Sequence, residues 1–358
     1  MGRPGWVSVA GLLAVGWTLC LGGCGSSGHP RRTQTVAHAA TTTATRTVAS
    51  GLFAADSVWN APLGADAPLD PSSPALMARL RAEIAAEQQA QDGPWIETTS
   101  YSTTVYRVPA NQPTVPVHLD NTQPWAHTLG VAFAAVPIPA NAQPAAGTDA
   151  QMTIWQPSTD RLWEFWRAHD GPGGWEAQWG GAMQHVSTSP GYFTPASWPG
   201  AHSYWGATAT SLPLVAGTMT IEELEQGTID HALAIDLPAT RLNVYSSPAQ
   251  RTDGEDPSGD SIPEGARLRI EPQVNVRELH LPHMTEEMAL AAQRYGMIVR
   301  DQTHHAVGFY AEDPTPSGSN PYPALMGGEL PDKLLAGFPW QDVEVLRMEL
   351  HYGTGRPT

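Results

Sequence analysis

The stretch that decides the fold is QMTIWQ at residues 151–156, followed by PSTD at 157–160 and LWEFW at 162–166. Apolar and aromatic residues fill both runs, and the residues between them are of the types that reverse a chain. The pattern therefore predicts a β-hairpin. On its return strand, alternation places Leu162, Glu164 and Trp166 on one face.

Short runs of the same kind recur between residues 101 and 270, separated by Pro, Gly, Asn and Asp. The candidate strands are residues 104–108, 115–119, 130–135, 151–156, 162–168, 232–237 and 267–270. Long helices do not alternate with these runs, which argues against a parallel α/β sheet. We predict a mainly β fold, namely an antiparallel β-sandwich or jelly roll with a few peripheral helices.

Four segments have helical patterns. In the most regular, residues 74–91, apolar side chains recur on one face from Leu76 to Ile84. The others are residues 220–226, 285–295 and 328–335. Gly296 ends the third helix, and residues 297–299 then indicate a buried strand with Arg300 and Asp301 at its end.

The N-terminus is typical of an exported protein, because Arg3 precedes an apolar run at residues 6–21 that ends in LGGC at 21–24. A permanent membrane helix needs about 20 apolar residues, so this run is too short to be one. The LGGC ending resembles the lipobox of bacterial lipoproteins, which implies cleavage before Cys24 and acylation of its thiol. An ordinary cleaved signal peptide with a chance cysteine is the alternative.

This resemblance divides the chain into three parts. We expect a signal peptide at residues 1–23, lipidated Cys24 with a flexible tether at 24–50, and a single β-rich globular domain at 51–358. The lipid would hold the protein on the extracytoplasmic face of the cell membrane.

Composition excludes several kinds of chemistry. The two cysteines, Cys20 and Cys24, both lie in or next to the signal, so the predicted domain has no disulfide and no thiolate nucleophile. A formal charge of −16 argues against nucleic acid as a partner. The sequence contains no GxSxG, Walker, dinucleotide-glycine or HExxH motif, and we predict no cofactor.

We also predict no metal site. The acidic segment DGEDPSGD at residues 253–260 lacks the glycine that an EF-hand loop has at its sixth position, so we expect a solvated surface loop. His304 and His305 are adjacent, and no third ligand stands near them in the sequence.

Indole side chains are concentrated between glycines in GGWEAQWGGAMQH at residues 173–185. Glycines permit sharp turns that expose the rings, and an exposed Trp stacks on the apolar faces of sugar rings while its N–H meets hydroxyl groups. Burial of the same rings in a sandwich core is the alternative. We predict a glycan-binding groove lined by Trp163, Trp166, Trp175, Trp179 and His185.

Carboxylate and imidazole groups are the candidates for catalysis. Glu164 stands between apolar residues, where desolvation raises the pKa of a carboxyl group as a general acid requires; pairing with an Arg at a strand edge is the alternative. Asp230 and His231 are adjacent just before a strand. Because adjacent strand residues point to opposite faces, a direct catalytic dyad between them needs a bulge or turn, and a hydrogen bond from His231 to a backbone carbonyl is the alternative. Asp149 completes the predicted catalytic set. Tyr295 and Asp301 complete the predicted substrate contacts.

A series of short motifs resembles a broad group of uncharacterised secreted bacterial proteins, some of which occur beside carbohydrate-binding modules. The motifs are TD at 148–149, LWE at 162–164, GW at 174–175, GGA at 180–182, LPL at 212–214, GTIDHAL at 227–233 and RYGMIVRD at 294–301. The resemblance covers roughly residues 100–310 and implies an extracytoplasmic, β-rich protein associated with glycans. We therefore expect a membrane-anchored protein that acts on or binds polysaccharide, as a hydrolase or lyase. A non-catalytic glycan- or cell-wall-binding lipoprotein, or an envelope scaffold, is the alternative.

Overall fold

Short strands and a few helices make up the described part of the chain. A computed structural model describes residues 52–357, which belong to one compact unit. The α-helices in this range are α1 (Ser73–Ala90), α2 (His127–Ala132), α3 (Ile221–Gln226), α4 (His283–Arg294), α5 (Tyr322–Leu325) and α6 (Pro331–Leu334). The strands are β1 (Trp95–Glu97), β2 (Val105–Arg107), β3 (Val117–Leu119), β4 (Met152–Gln156), β5 (Arg161–Trp166), β6 (His169–Gly171), β7 (Gly174–Ala177), β8 (Trp179–Gln184), β9 (Leu233–Leu237), β10 (Val244–Ser246), β11 (Arg267–Ile270), β12 (Met297–Gln302), β13 (Gly308–Tyr310), β14 (Val343–Val345) and β15 (Leu350–Tyr352).

The hairpin expected from the sequence is formed by β4 and β5, with Thr153 opposite Glu164. The chain reverses at Asp160, whose φ of 55° lies in the left-handed region. Strand β8 pairs antiparallel with β5 and β2 pairs parallel with β4, which gives a four-stranded sheet in the order β2-β4-β5-β8. Gly180 and Gly181 lie inside β8 and not in a turn. A Cβ on Gly180 would be 2.0 Å from the carbonyl oxygen of Glu164, so this glycine serves close packing.

The largest sheet has six strands in the order β1-β13-β9-β12-β11-β14. Smaller sheets are formed by β3-β7-β6 and by β10-β15. Four pairs are parallel, namely β1 with β13, β2 with β4, β3 with β7, and β9 with β12. The fold is β-rich with several helices, but the prediction of an antiparallel architecture is only partly correct because the sheets are mixed. Parallel partners require long connections, and strand spacing along the sequence does not show which distant strands will meet.

Two hydrophobic cores flank the six-stranded sheet. Leu233 and Ile235 of β9 pack in one core with residues of α1 and α4. Ala234, which lies between them in sequence, packs in the other core with residues of β4 and β5. Alternate residues of a strand point to opposite faces, so helices cover one face of this sheet and the second β layer covers the other.

Most helices lie where the sequence predicts them, but one predicted strand and one predicted helix need correction. Helices α1 and α3 lie where they were expected, and α4 begins two residues before the predicted segment 285–295. The predicted strand 130–135 is wrong because residues 127–132 form α2, where Leu129 and Ala132 are buried at helical spacing. A short apolar run has no periodicity that separates strand from helix. The predicted helix 328–335 shortens to α6, which begins at Pro331.

Candidate functional site

A cavity of about 460 Å³ gathers four of the residues singled out from the sequence, at the end of β12 and beside the hairpin β4-β5. These four are Asp149, Trp166, Trp179 and Asp301. The rest of the lining comes from Asn121, Trp125, Gln151, Gln178, Ala207, Thr208, Ala209, Arg251, Asp253, Gln302, Arg356 and Pro357. Because three indole rings and three carboxylates line it, we name it the acidic aromatic cavity.

One wall of the cavity consists of aromatic rings in contact. The rings of Trp125 and Trp179 meet edge to face with centroids 5.1 Å apart, and Tyr204 lies 5.9 Å and 6.2 Å from them respectively. Trp125 is half-buried and so keeps part of its ring open to the cavity. Trp179 is only 6% exposed, and its indole N–H has no hydrogen-bond partner among the described residues.

Another aromatic side chain of the cavity, Trp166, is hydrogen-bonded to an acidic side chain. Its indole N–H donates a hydrogen bond of 3.0 Å to the carboxylate of Asp149, and the guanidinium of Arg167 lies 4.6 Å from its ring centroid. Both Asp149 and Trp166 are half-buried. The indole therefore holds the carboxylate in one orientation on the cavity wall.

Three carboxyl groups converge beside the cavity, and two of them, those of Asp253 and Asp301, line it. One oxygen from each of Asp253, Glu264 and Asp301 lies within 4.8 Å of the other two. Asp253 is exposed, Asp301 is half-buried and Glu264 is fully buried. Burial and the nearby Asp253 carboxylate raise the pKa of Asp301 to about 8. Burial, together with Asp253 and Asp301, raises the pKa of Glu264 well above its usual range.

Asp301 reaches the cavity because β12 is irregular there. The register between β12 and β9 shifts between Val299 and Asp301, which is a β-bulge. A bulge changes the direction of the side chain that follows it, and such bulges are frequent beside active sites. The Asp301 carboxylate also accepts a 2.9 Å hydrogen bond from the backbone N–H of Gln302.

Two arginines supply the positive charge of the cavity. The guanidinium of Arg251 donates to the backbone carbonyls of Gly206 and Thr208 at 2.9 Å and 2.5 Å, and burial lowers the pKa of Arg251 to about 10. Arg356 is exposed and lies 3.6 Å from the carboxylate of Asp253. The hydrogen bonds of Arg251 therefore go to the loop that forms part of the cavity wall.

Glu164 lies behind this wall and does not line the cavity. Its side chain is fully buried, and its two oxygens accept hydrogen bonds from the backbone N–H groups of Ala207 at 2.7 Å and Leu214 at 2.8 Å. Burial raises the pKa of Glu164 to about 7, and the two N–H donors oppose that rise. Its bonds go to backbone amides and not to an Arg at a strand edge. Glu164 can therefore hold the 207–214 loop in place, but its side chain does not face a ligand bound in the cavity.

Asp230 and His231 also lie outside the acidic aromatic cavity. The ring of His231 contacts the carbonyl of Ala232 at 2.8 Å and the carboxylate of Glu223 at 3.3 Å. Asp230 is exposed and accepts a 3.4 Å hydrogen bond from the hydroxyl of Tyr295. His231 therefore bonds a backbone carbonyl, as the alternative interpretation predicts, and its two ring nitrogens contact Ala232 and Glu223.

Four of the predicted glycan contacts occupy other places. Trp163 and Trp175 are buried in the hydrophobic core, and the indole N–H of Trp163 donates to the carbonyl of Ala132 at 3.2 Å. His185 is exposed at the end of β8 with a left-handed φ of 56°. Tyr295, at the end of α4, is also part of the core. The rings buried in this way serve packing, because both faces of the hairpin are covered.

Sequence reasoning missed several members of the site, notably Asp253 and Glu264. Residues 253–260 were expected to form a solvated loop, yet Asp253, at its start, lines the cavity. A signal was present, because Glu264 is the twelfth residue counted from Asp253, the spacing of the first and last ligands of an EF-hand loop. Trp125 and Arg251 carried no comparable signal.

Comparisons with protein-family models, with curated proteins and with solved structures each give no match for this chain. Within residues 52–357, no helix combines the length and apolar composition of a membrane span. The signal peptide, Cys24 and the tether expected at residues 1–50 lie outside the described residues.

Proposed function

We propose that this protein binds a glycan in the acidic aromatic cavity and acts on it there. The observation that carries the proposal is that half-buried Trp125 and Trp166 share one cavity with the carboxylates of Asp149, Asp253 and Asp301. Indole rings stack on the apolar faces of sugars, and carboxylates accept hydrogen bonds from sugar hydroxyls. The volume of about 460 Å³ lies within the range of ligand-binding clefts.

Cleavage, and not binding alone, is favoured by the crowding of the carboxylates. Three such groups within 4.8 Å of one another repel each other when ionised, which is unfavourable for folding. Crowding of this kind is typical of functional sites. We assign acid–base work to Asp149, because Trp166 fixes its carboxylate on the cavity wall at a position where it can meet a sugar hydroxyl or a sugar C–H.

A panel of neutral and uronic-acid polysaccharides tests this function. The full chain, purified in detergent, is incubated with each polymer while new reducing ends and the ultraviolet absorbance of unsaturated products are followed. New reducing ends without absorbance identify a hydrolase, and both signals together identify a lyase. Binding to one polymer by calorimetry without either signal would move the assignment to a non-catalytic binder. No binding to any polymer would contradict the proposal.

Two variants locate the activity, with Asp170→Asn as the matched control because Asp170 is exposed on β6 and does not line the cavity. Replacing Trp166 by Ala should weaken glycan binding by about tenfold, the effect of losing roughly 1.4 kcal/mol of contact. Asp149→Asn should leave binding within a few-fold and lower turnover by about a hundredfold. Equal activity in Asp149→Asn and the control would remove Asp149 from the mechanism.

We further propose that a lipid on Cys24 holds the domain at the outer face of the cell membrane, as in the lipoproteins that the LGGC motif resembles. Mass spectrometry of the membrane fraction should show an acylated N-terminal peptide that begins at Cys24. The Cys24→Ala variant should lose that peptide and leave the membrane fraction. An unmodified Cys24 in the mature protein would contradict the anchor.

A further inference from the structure

We propose that Asp253, Glu264 and Asp301 bind a divalent cation, with Ca²⁺ as the best match, at the side of the acidic aromatic cavity that Asp253 and Asp301 line. One oxygen of each carboxylate lies within 4.8 Å of the other two. Ca²⁺ binds oxygen ligands at about 2.4 Å, so two ligands on opposite sides of the ion are about 5 Å apart. The three oxygens are therefore spaced to meet one ion with little movement.

Unpaired polar atoms at the same place point independently to a ligand. The Glu264 side chain is 0% exposed, yet its Oε1 has no hydrogen-bond partner among the described residues. Its other oxygen, Oε2, accepts a 3.2 Å hydrogen bond from the backbone N–H of Asp253. A buried carboxylate oxygen without a partner is strongly unfavourable, and a bound cation removes that penalty.

The indole N–H of Trp179 is a second such atom. It has no partner in the described part of the chain, and its ring lines the same cavity as Asp301. An N–H group cannot bind a cation, but it can donate to an oxygen of a molecule that the cation also holds. The cavity therefore offers both a cation site and a donor near it.

Local charge also favours a cation. One guanidinium beside the cluster is that of Arg356, at 3.6 Å from Asp253. The other is that of Arg251, which donates to the carbonyls of Gly206 and Thr208 and also attracts the three carboxylates. When all three carboxylates are ionised they repel one another and exceed the two guanidinium charges by one, and a divalent ion offsets that repulsion.

The ligand set selects the kind of metal. Three carboxylates without Cys or His are hard oxygen donors, which suit Ca²⁺ or Mg²⁺ better than Zn²⁺. Ca²⁺ takes about six to eight ligands, so about three or more positions remain for water or for ligand oxygens from the cavity. This step rests on the proposed function. The remaining positions around the ion would bind sugar hydroxyl or uronate oxygens, so that the ion bridges an anionic glycan and an acidic protein.

Calcium titration of the full chain, purified in detergent and stripped with chelator, tests the site. Calorimetry should show one ion per chain with a Kd of about 10⁻⁴ M, as in extracellular calcium modules. The thermal midpoint should rise by about 3 °C at a tenfold excess over the Kd. Absence of both heat and a thermal shift would overturn the site.

Variants show where the ion binds. Asp253→Asn, Glu264→Gln and Asp301→Asn should each weaken Ca²⁺ binding by about tenfold or more, while Asp170→Asn should not change it. Asp253 is exposed, so Asp253→Asn keeps the fold even where the buried Glu264→Gln does not. An unchanged Kd in Asp253→Asn would overturn the assignment.

Glycan binding measured in Ca²⁺ and in chelator separates this inference from the proposed function. Calcium binding without binding of any glycan would support the cation site and contradict the proposed function. Glycan binding of equal strength in both buffers would support the proposed function and contradict the bridging role of the ion.

Discussion

Glu164 and Arg300 hold the backbone of one residue, Leu214, from two different sheets. The N–H of Leu214 donates to Glu164 of β5 at 2.8 Å, and its carbonyl accepts from the guanidinium of Arg300 of β12 at 2.5 Å. Both charged side chains are fully buried. Because Glu164 also binds the N–H of Ala207, which lines the acidic aromatic cavity, these contacts connect the core of the fold to the wall of the site.

The Glu164→Gln variant should therefore lose stability as well as function. A Gln amide has one acceptor oxygen, so one of the two N–H groups of Ala207 and Leu214 would face an N–H donor. We expect the free energy of unfolding in urea to fall by about 2 kcal/mol. Glu176→Gln, at a partly exposed glutamate of β7, should change it by less than about 0.5 kcal/mol. Lost turnover with unchanged stability would instead place Glu164 in the chemistry.

Gly180→Ala should destabilise the protein because the backbone around this residue leaves no space for a methyl group. A Cβ there would lie 2.0 Å from the carbonyl oxygen of Glu164, and a strand backbone cannot move aside as a flexible side chain does. We expect a loss of about 3 kcal/mol in urea unfolding. Gly259→Ala is the control, since a Cβ on Gly259 meets nothing within 4 Å. Equal stability of the two variants would show that β8 is not packed as described.

The pair of His231 and Glu223 should make stability depend on pH. Burial is the largest single effect and lowers the pKa of His231, but the attraction and hydrogen bond of the Glu223 carboxylate, with the bond to the Ala232 carbonyl, together raise it above the ordinary value of 6.5. Stabilisation by the charged pair is thus complete below about pH 6.5 and is lost as pH rises through the pKa of the folded protein. Near pH 6 we expect His231→Gln to cost about 3 kcal/mol, and less as pH increases.

Urea unfolding of this variant and the wild type at several pH values measures the difference. His169→Gln is the matched control, because His169 lies 3.1 Å from Glu176 in an exposed pair, which contributes little. A stability difference for His231→Gln that is constant across this range, or that grows with pH, would contradict a charged pair.

Asp236 should give a pH dependence of similar direction from a different cause. Burial, and then repulsion from Glu97, raises the pKa of Asp236 from 3.8 to about 7. The folded protein therefore binds this proton more tightly than the unfolded chain does, so the contribution of Asp236 to stability is most favourable below pH 3.8 and becomes less favourable as pH rises to about 7. Relative to Asp236→Asn, the wild type should lose up to about 4 kcal/mol over this interval. Parallel stability curves for the two proteins would contradict the shift.

Local patterns were sufficient for the elements that depend on local contacts. The hairpin β4-β5 and the helix α1 follow from alternation and from helical spacing, and both lie where the sequence predicted. The sequence also predicts functional roles for Asp149, Trp166, Trp179 and Asp301, and all four line the acidic aromatic cavity. Glu164 was selected for its apolar neighbours, and those neighbours bury it completely.

Tertiary structure decided which of the selected groups meet. In a layered fold both faces of a central strand are buried, as in β4, so alternation cannot separate a ring that packs the core from one that faces a ligand. Asp149, Asp253 and Asp301 come together only because the hairpin, a loop and the bulged end of β12 converge, and none of these long-range pairings has a sequence period. By itself the sequence determined the short β runs, the amphipathic helices and the chemical groups available. The assembly of the acidic aromatic cavity was decided by sheet packing, because its members are distant in sequence and are positioned by strand registers that local residues do not encode.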